Sequence, residues 1–229
     1  FEKCNAAYAK GGPEQALSML NTSLDLAITD YVTVDFSAIV ECVDLLGGVE
    51  MTITDDEASL MLGYIQELNR LTGNTASCPS SGGTYTLNGV QATAFARIRY
   101  GGGDDYKRTE RQRAVLSAMI AKAQKSDLKT LNALINTLFS DIQTSFSNAD
   151  LLALATNIFN YKLSETNGFP YEKTAHRYDK VGDVVIPCDL SSALHQFLYT
   201  DMAYTPSDTV KNNSEMITSK TGYREGDGF

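Results

Sequence analysis

The stretch Ala94-Phe-Ala-Arg97-Ile-Arg99-Tyr-Gly101-Gly-Gly-Asp-Asp105-Tyr-Lys-Arg108-Thr-Glu-Arg111-Gln112-Arg113 organises the reading of this chain. The protein carries a formal net charge of -9, yet Arg97, Arg99, Lys107, Arg108, Arg111 and Arg113 all fall within it. An acidic molecule that concentrates guanidinium groups in one place suits a discrete anion site better than a diffuse polyanion surface. Arginine forks match phosphate oxygens bidentately, which points to phosphate or pyrophosphate. The competing reading is a solvated helix face in which Asp104, Asp105 and Glu110 supply local counter-charge. Both readings stand on the residues alone.

Local spacing sets the expected geometry. Arg97 and Arg99 are two apart, so in an extended segment they point to one side with Ile98 on the other. Gly101, Gly102 and Gly103 allow a sharp turn. A helix then runs over 109–125, on which Arg108 and Gln112 are one turn apart and Arg111 neighbours Arg108 at i+3. The glycine run lacks the Lys-Ser/Thr ending of a nucleotide loop and the spacing of a dinucleotide fingerprint, so a hinge between arginines is the better reading.

Working outward, helix and strand signals alternate. Pro13 opens a helix over 13–24, and Tyr31-Val-Thr-Val-Asp-Phe36 reads as a strand. A helix over 37–46 stops at Gly47-Gly48, and Val49-Glu-Met-Thr-Ile53 is a second strand. Thr54-Asp-Asp-Glu57 forms a capping box into a helix that ends near Gly73. Residues 74–84, rich in Ser, Gly and Pro, read as a loop. Helices follow over 89–96, 128–139 and 148–160, with a short strand at 142–144. Paired strands lie within 171–187 and a helix covers 190–199. From Thr205 the chain turns polar and is expected to fray. The expected architecture is a single α/β domain over 1–200, a mixed central sheet flanked by helices, followed by a polar tail over 201–229.

Composition narrows the function. An acidic balance argues against bulk nucleic-acid binding, and no apolar run approaches a membrane span. Cys4, Cys42, Cys78 and Cys188 lack zinc-site spacing; two disulfides in any of three connectivities stand beside the reading of Cys4 and Cys42 as buried free thiols, with Cys78 the more exposed sulfur. His176 and His195 have no Ser or Cys partner and read as structural. Asp55, Asp56 and Glu57 are accounted for by the positive end of their helix and are not taken as metal ligands. Val115, Met119, Leu131, Leu134 and Leu138 read as core.

Leu87-Asn-Gly-Val-Gln-Ala-Thr-Ala-Phe-Ala-Arg97-Ile-Arg99-Tyr, followed by Asp105-Tyr-Lys-Arg-Thr-Glu-Arg-Gln112, resembles the hallmark segment of the LytR–CpsA–Psr family. Lys3-Cys-Asn-Ala-Ala-Tyr-Ala-Lys-Gly-Gly-Pro-Glu14 is similar to a second block of that family. Asp30-Tyr-Val-Thr-Val-Asp-Phe36, leading to Asp44-Leu-Leu-Gly-Gly-Val49, is similar to a third, in the same order. The resemblance implies a three-layer α/β fold and an extracytoplasmic enzyme anchored to the membrane of a Gram-positive bacterium. Its implied activity is phosphotransfer, moving a glycopolymer of the teichoic acid or capsule type from a polyprenyl pyrophosphate carrier onto peptidoglycan.

Carried over by position, the resemblance implies that Arg97, Arg99 and Arg108 bind pyrophosphate and act in catalysis. Gln112, Lys3 and Arg111 join them around the ligand, and Asp105 orients an arginine. Some helices would also line an apolar pocket for the polyprenyl tail. The implied cofactor is Mg²⁺, but the family's two magnesium aspartates, a further arginine, its N-terminal strands and its anchor all fall upstream of Lys3. The metal is therefore expected to find no ligands in this chain, and the chain is expected to be part of a longer protein or unable to complete the reaction alone. The rival functions are a non-catalytic polyprenyl-pyrophosphate-binding envelope protein and, with less support from an acidic chain, a transcriptional regulator.

Overall fold

The computed structural model describes residues 2–99, 105–162 and 164–228. In chain order, the first elements are α1 (Ala6–Leu24), β1 (Val32–Val34), α2 (Phe36–Leu45), β2 (Val49–Ile53) and α3 (Asp55–Thr72). Next come β3 (Gly83–Leu87), α4 (Gly89–Arg97), α5 (Asp105–Ala123), α6 (Leu128–Asp141), β4 (Ile142–Thr144) and α7 (Asn148–Thr156). The last are β5 (Lys173–Tyr178), β6 (Gly182–Pro187), α8 (Ser192–Leu198) and α9 (Asp208–Thr221). These elements group into two compact units, one of residues 32–166 and one of residues 1–31 with 167–229.

The α/β class is as expected. The strands, however, form three separate antiparallel pairs among the described residues where a mixed central sheet was expected. In the 32–166 unit β1 pairs with β4 (Val32↔Thr144) and β2 with β3 (Val49↔Leu87). With three residues each, β1 and β4 offer a short ladder, and β2 buries only one face. Strand β3 lay at the edge of a stretch read as loop; Gly83-Thr-Tyr-Thr-Leu87 alternates as a strand does, but the Ser/Gly-rich run before it hid its start.

The core of this unit is built from helical spacing. Ala58, Met61, Ile65 and Leu68 form one face of α3 and pack with Val40 and Val43 of α2 and with Val90 and Phe95 of α4. Thr54 accepts from the Glu57 amide at 3.2 Å while the Glu57 carboxylate accepts from the Thr54 amide at 2.9 Å, completing the capping box. Gly73, at φ 71°, ends α3 in the left-handed conformation that glycine tolerates. The start of α4 is held by Asp44, whose carboxylate accepts from the Gly89 amide at 2.7 Å. At Gly89 the two helices touch: a Cβ there would meet the Val40 carbonyl oxygen at 2.0 Å.

In the other unit, α1 is interrupted at Gly11 and Gly12 (φ 66°), so that Pro13 does begin a new helical run. The C-terminal segment does not fray. Ser207 caps α9, Gly222 closes it, and Val210 packs with Leu24 and Leu190. Its apolar face is only Val210 with Ile217 two turns on, too sparse to stand out in a polar stretch. His195 is buried, donates from Nε2 to the Leu24 carbonyl at 2.7 Å and stacks on Tyr204 at 3.6 Å, a structural role as expected.

All four cysteines are free. Cys42 is buried as expected, but Cys4, just before α1, is exposed. Cys78 is half-buried; its thiol donates to the Ala58 carbonyl at 3.3 Å, and burial raises its pKa above the ordinary thiol value.

Candidate anion site

The hallmark arginines lie where α4 ends and α5 begins, in the 32–166 unit, and these two helices pack on each other. Arg97 is not in an extended segment: it is the last residue of α4, and the chain leaves the helix at Ile98 (φ -53°, ψ 134°). The helix runs one residue further than its pattern suggested. Ile98 is fully buried and Arg99 exposed, but with Arg97 in the helix the two arginines do not share the extended segment on which they were expected to point to one side. Tyr100, Gly101, Gly102, Gly103 and Asp104 lie outside the described residues, and with them the expected glycine hinge. Asp105 opens α5, but its side chain, expected to orient an arginine, is also outside what is described.

Arg97 sits in a cradle made by three helices. Its guanidinium lies 4.4 Å from the ring centre of Phe36, at the start of α2, and 5.3 Å from that of Tyr64 on α3. Such a cation over aromatic faces is worth roughly 0.5–2 kcal/mol. Its Nη2 donates to both carboxylate oxygens of Glu67, each at 3.2 Å. The second nitrogen, Nη1, is buried with no hydrogen-bond partner among the described residues, as is the hydroxyl of Thr93 one helical turn earlier. A buried N–H of a charged group left unmatched is costly, and an anion oxygen is the natural acceptor to complete it.

Arg108 and Gln112 are one turn apart on α5, Arg108 half-buried and Gln112 exposed. Arg111, between them, is buried. Its Nε donates to Glu57 at 2.8 Å and its Nη1 to the Ile98 carbonyl at 3.1 Å. That carbonyl belongs to the residue between Arg97 and Arg99. The α5 turn bearing Arg108 and Gln112 is thereby tied to the segment bearing the other two arginines. Arg111 was expected around the ligand; in this structure its charge faces Glu57 at the core. Lys3, expected at the rim of the site, belongs to the other compact unit, where it is exposed beside a shallow cleft also lined by Cys4, Lys10 and Met19.

Sequence reasoning missed Phe36, Tyr64, Glu57 and Glu67 as parts of this region. Glu57 was explained fully by its capping role, and Glu67 stands 30 positions from Arg97, so no local pattern joins them. As for Mg²⁺, no group of three His, Cys, Asp or Glu side chains converges among the described residues. Glu57 and Glu67, the carboxylates paired with site arginines, face guanidinium groups. The described residues therefore do not fit a magnesium centre.

In structural terms this defines a class: an α/β unit that presents arginines from a helix end and from the helix that follows. Residues 1–181 match the LytR_cpsA_psr family, and the chain belongs to that family. It is 34% identical over 151 residues to Biofilm regulatory protein A of Streptococcus mutans, covering 63% of this chain and 35% of that protein. It is 28% identical over 185 residues to the polyisoprenyl-teichoic acid–peptidoglycan teichoic acid transferase TagT of Bacillus subtilis, covering 79% of this chain and 55% of that one. The chain thus spans about a third to a half of these relatives. Its fold is similar to that of TagT bound to LI-WTA, with TM-score 0.58 at 20% identity over 96% of this chain and 71% of the other. It is also similar to protein gbs0355 of Streptococcus agalactiae, with TM-score 0.62 at 19% identity over 99% and 68%.

Proposed function

We propose that this chain is the pyrophosphate-binding part of a phosphotransferase that attaches a polyprenyl-pyrophosphate-linked glycopolymer, of teichoic acid or capsule type, to peptidoglycan. The observation that carries the reading is the junction of α4 and α5. There Arg97 Nη1 is buried with no hydrogen-bond partner among the described residues, and Arg99 and Arg108 flank the Ile98–Arg111 hydrogen bond in sequence. Family membership and the activity named for TagT support the substrate class.

In this reading Arg97, Arg99 and Arg108 neutralise the pyrophosphate and stabilise charge developing on the leaving polyprenyl phosphate. A peptidoglycan sugar hydroxyl attacks the sugar-proximal phosphorus. The new O–P bond forms as the bridging P–O bond breaks, and the hydroxyl proton passes to solvent or a base. Such transfer depends mainly on positioning and charge stabilisation, which arginines supply. Gln112, exposed one turn beyond Arg108, supplies a neutral donor for a phosphate oxygen.

Magnesium enters the proposal as the cation the family resemblance implies, adding charge neutralisation when bound; no step here runs through it. Membrane anchoring and an extracytoplasmic location in a Gram-positive envelope belong to the same proposal. Among the described residues no helix is long and apolar enough to cross a membrane.

The test is glycopolymer transfer from a lipid-linked donor to peptidoglycan by the purified protein and its Arg99→Ala and Arg108→Ala variants. Each variant is expected to lose about 10²–10³-fold in rate with its melting temperature retained. Full activity in both variants would refute the assignment, and binding without turnover in the parent protein would favour a non-catalytic carrier-binding role.

A further inference from the structure

The geometry points to Arg111 and Glu57 as a buried positioning pair that sets the orientation of the 97–99 segment, and so aims Arg97 and Arg99 at the anion. This rests on the proposed pyrophosphate site.

Glu57 stands at the third position of α3 and uses both carboxylate oxygens. One accepts from the Thr54 amide at 2.9 Å, which fixes the start of the helix, and the other accepts from Arg111 Nε at 2.8 Å. The side chains are 14% and 7% exposed, so the pair is shielded from salt and water. Arg111 then reaches past Glu57 and donates from Nη1 to the Ile98 carbonyl at 3.1 Å.

Ile98 is the point where α4 ends, and its carbonyl has left the helical ladder. A carbonyl free to rotate there would carry the peptide joining Ile98 to Arg99 with it, redirecting Arg99. The Ile98 side chain is buried in the main core cluster, which also holds Val115 of α5, and the carbonyl is held from α5 by Arg111. Two anchors, one apolar and one polar, hold the segment. The polar one comes from the helix that carries Arg108 and Gln112.

Stability alone does not call for this arrangement, since buried ion pairs are often replaced by apolar residues at no cost. The pair delivers a guanidinium at the one carbonyl between two site arginines, which an apolar substitute would leave unheld. Arg111 is thus a positioning residue and not a ligand contact.

The experiment compares the 229-residue chain with Arg111→Lys and with the double variant Arg111→Met, Glu57→Gln. The double variant removes both charges of this pair and keeps an acceptor for the capping box. Three quantities are read: melting temperature, amide hydrogen exchange at residues 97–99 against residues 58–68, and affinity for a short polyprenyl pyrophosphate. The double variant is expected to stay folded and to exchange faster at 97–99 but not at 58–68. Its affinity is expected to fall about 10- to 100-fold, as sub-ångström to ångström misplacement does elsewhere.

Unchanged affinity and exchange in a folded double variant would overturn the assignment. So would unfolding of both variants, which would make the pair purely architectural. If the parent chain does not bind, the pyrophosphate reading itself falls and the positioning role with it; a parent that binds while the variants bind equally well removes only the positioning role.

Discussion

Replacing Glu67 by glutamine removes one carboxylate charge from the side of Arg97 while keeping the side chain's length and one carbonyl acceptor. Arg97 Nη2 lies 3.2 Å from both Glu67 oxygens, so an incoming anion competes with this carboxylate for the same guanidinium. The Glu67 side chain is 47% exposed, and pairs this open to water hold only about 0.2–1 kcal/mol. Phe36 and Tyr64 hold the guanidinium in place whether or not Glu67 does. Releasing Arg97 therefore strengthens anion binding by about that amount, roughly 1.4- to 5-fold in Kd. Isothermal titration with a short polyprenyl pyrophosphate reads the change directly. Glu50→Gln, at an exposed position of β2, controls for net charge alone. The gain is expected to shrink at high salt, where the competing charge is screened. Unchanged or weaker binding in Glu67→Gln, or an equal gain in Glu50→Gln, would refute the competition between Glu67 and the ligand.

Gly89→Ala is expected to cost about 3 kcal/mol and to lower the melting temperature by about 10 °C, because its Cβ would meet the Val40 carbonyl at 2.0 Å. A thermal shift below about 2 °C in a calorimetric scan would show that α2 and α4 can separate freely. Burial works against ionisation of Asp25, but hydrogen bonds from the Ser207 hydroxyl and amide and from Tyr204, with His195 nearby, outweigh it and hold its carboxyl below the ordinary value. A depressed folded-state pKa gives stability that is complete above the unfolded value of about 3.9 and is lost as pH falls through the folded one. Asp25→Asn is therefore expected to flatten the acid limb of the melting-temperature curve; a limb as steep as the parent's would place the acid sensitivity elsewhere.

Much of the helical framework was readable because local chemistry marks its own boundaries. Thr54 with Glu57, Gly73, and Gly47 with Gly48 each announce a helix end within a few residues, and the structure places those ends there. The alternating Val49-Glu-Met-Thr-Ile53 gave β2 to the residue. What local pattern missed depends on partners far along the chain. Arg111 meets Glu57 at a separation of 54 residues and Arg97 meets Glu67 at 30, so charge clustering identified the arginines but not which of them face the core. The same limit hid α9: its polar surface reads as a tail until Leu24 and Leu190 supply the apolar surface for Val210. Residue type thus marked the candidate site, while tertiary packing turned Arg111 toward Glu57 and left Arg99 exposed.

The central claim is that Arg97, Arg99 and Arg108 form one pyrophosphate site. It is tested most directly by titrating a short polyprenyl pyrophosphate, with and without Mg²⁺, into this chain and into its folded Arg99→Ala and Arg108→Ala variants. The expected result is saturable binding by the parent chain and at least about tenfold weaker binding by each variant, the loss of a charge-assisted contact worth roughly 1.5–3 kcal/mol. Equal binding by parent and variants, or no binding by the parent in either condition, would contradict the claim.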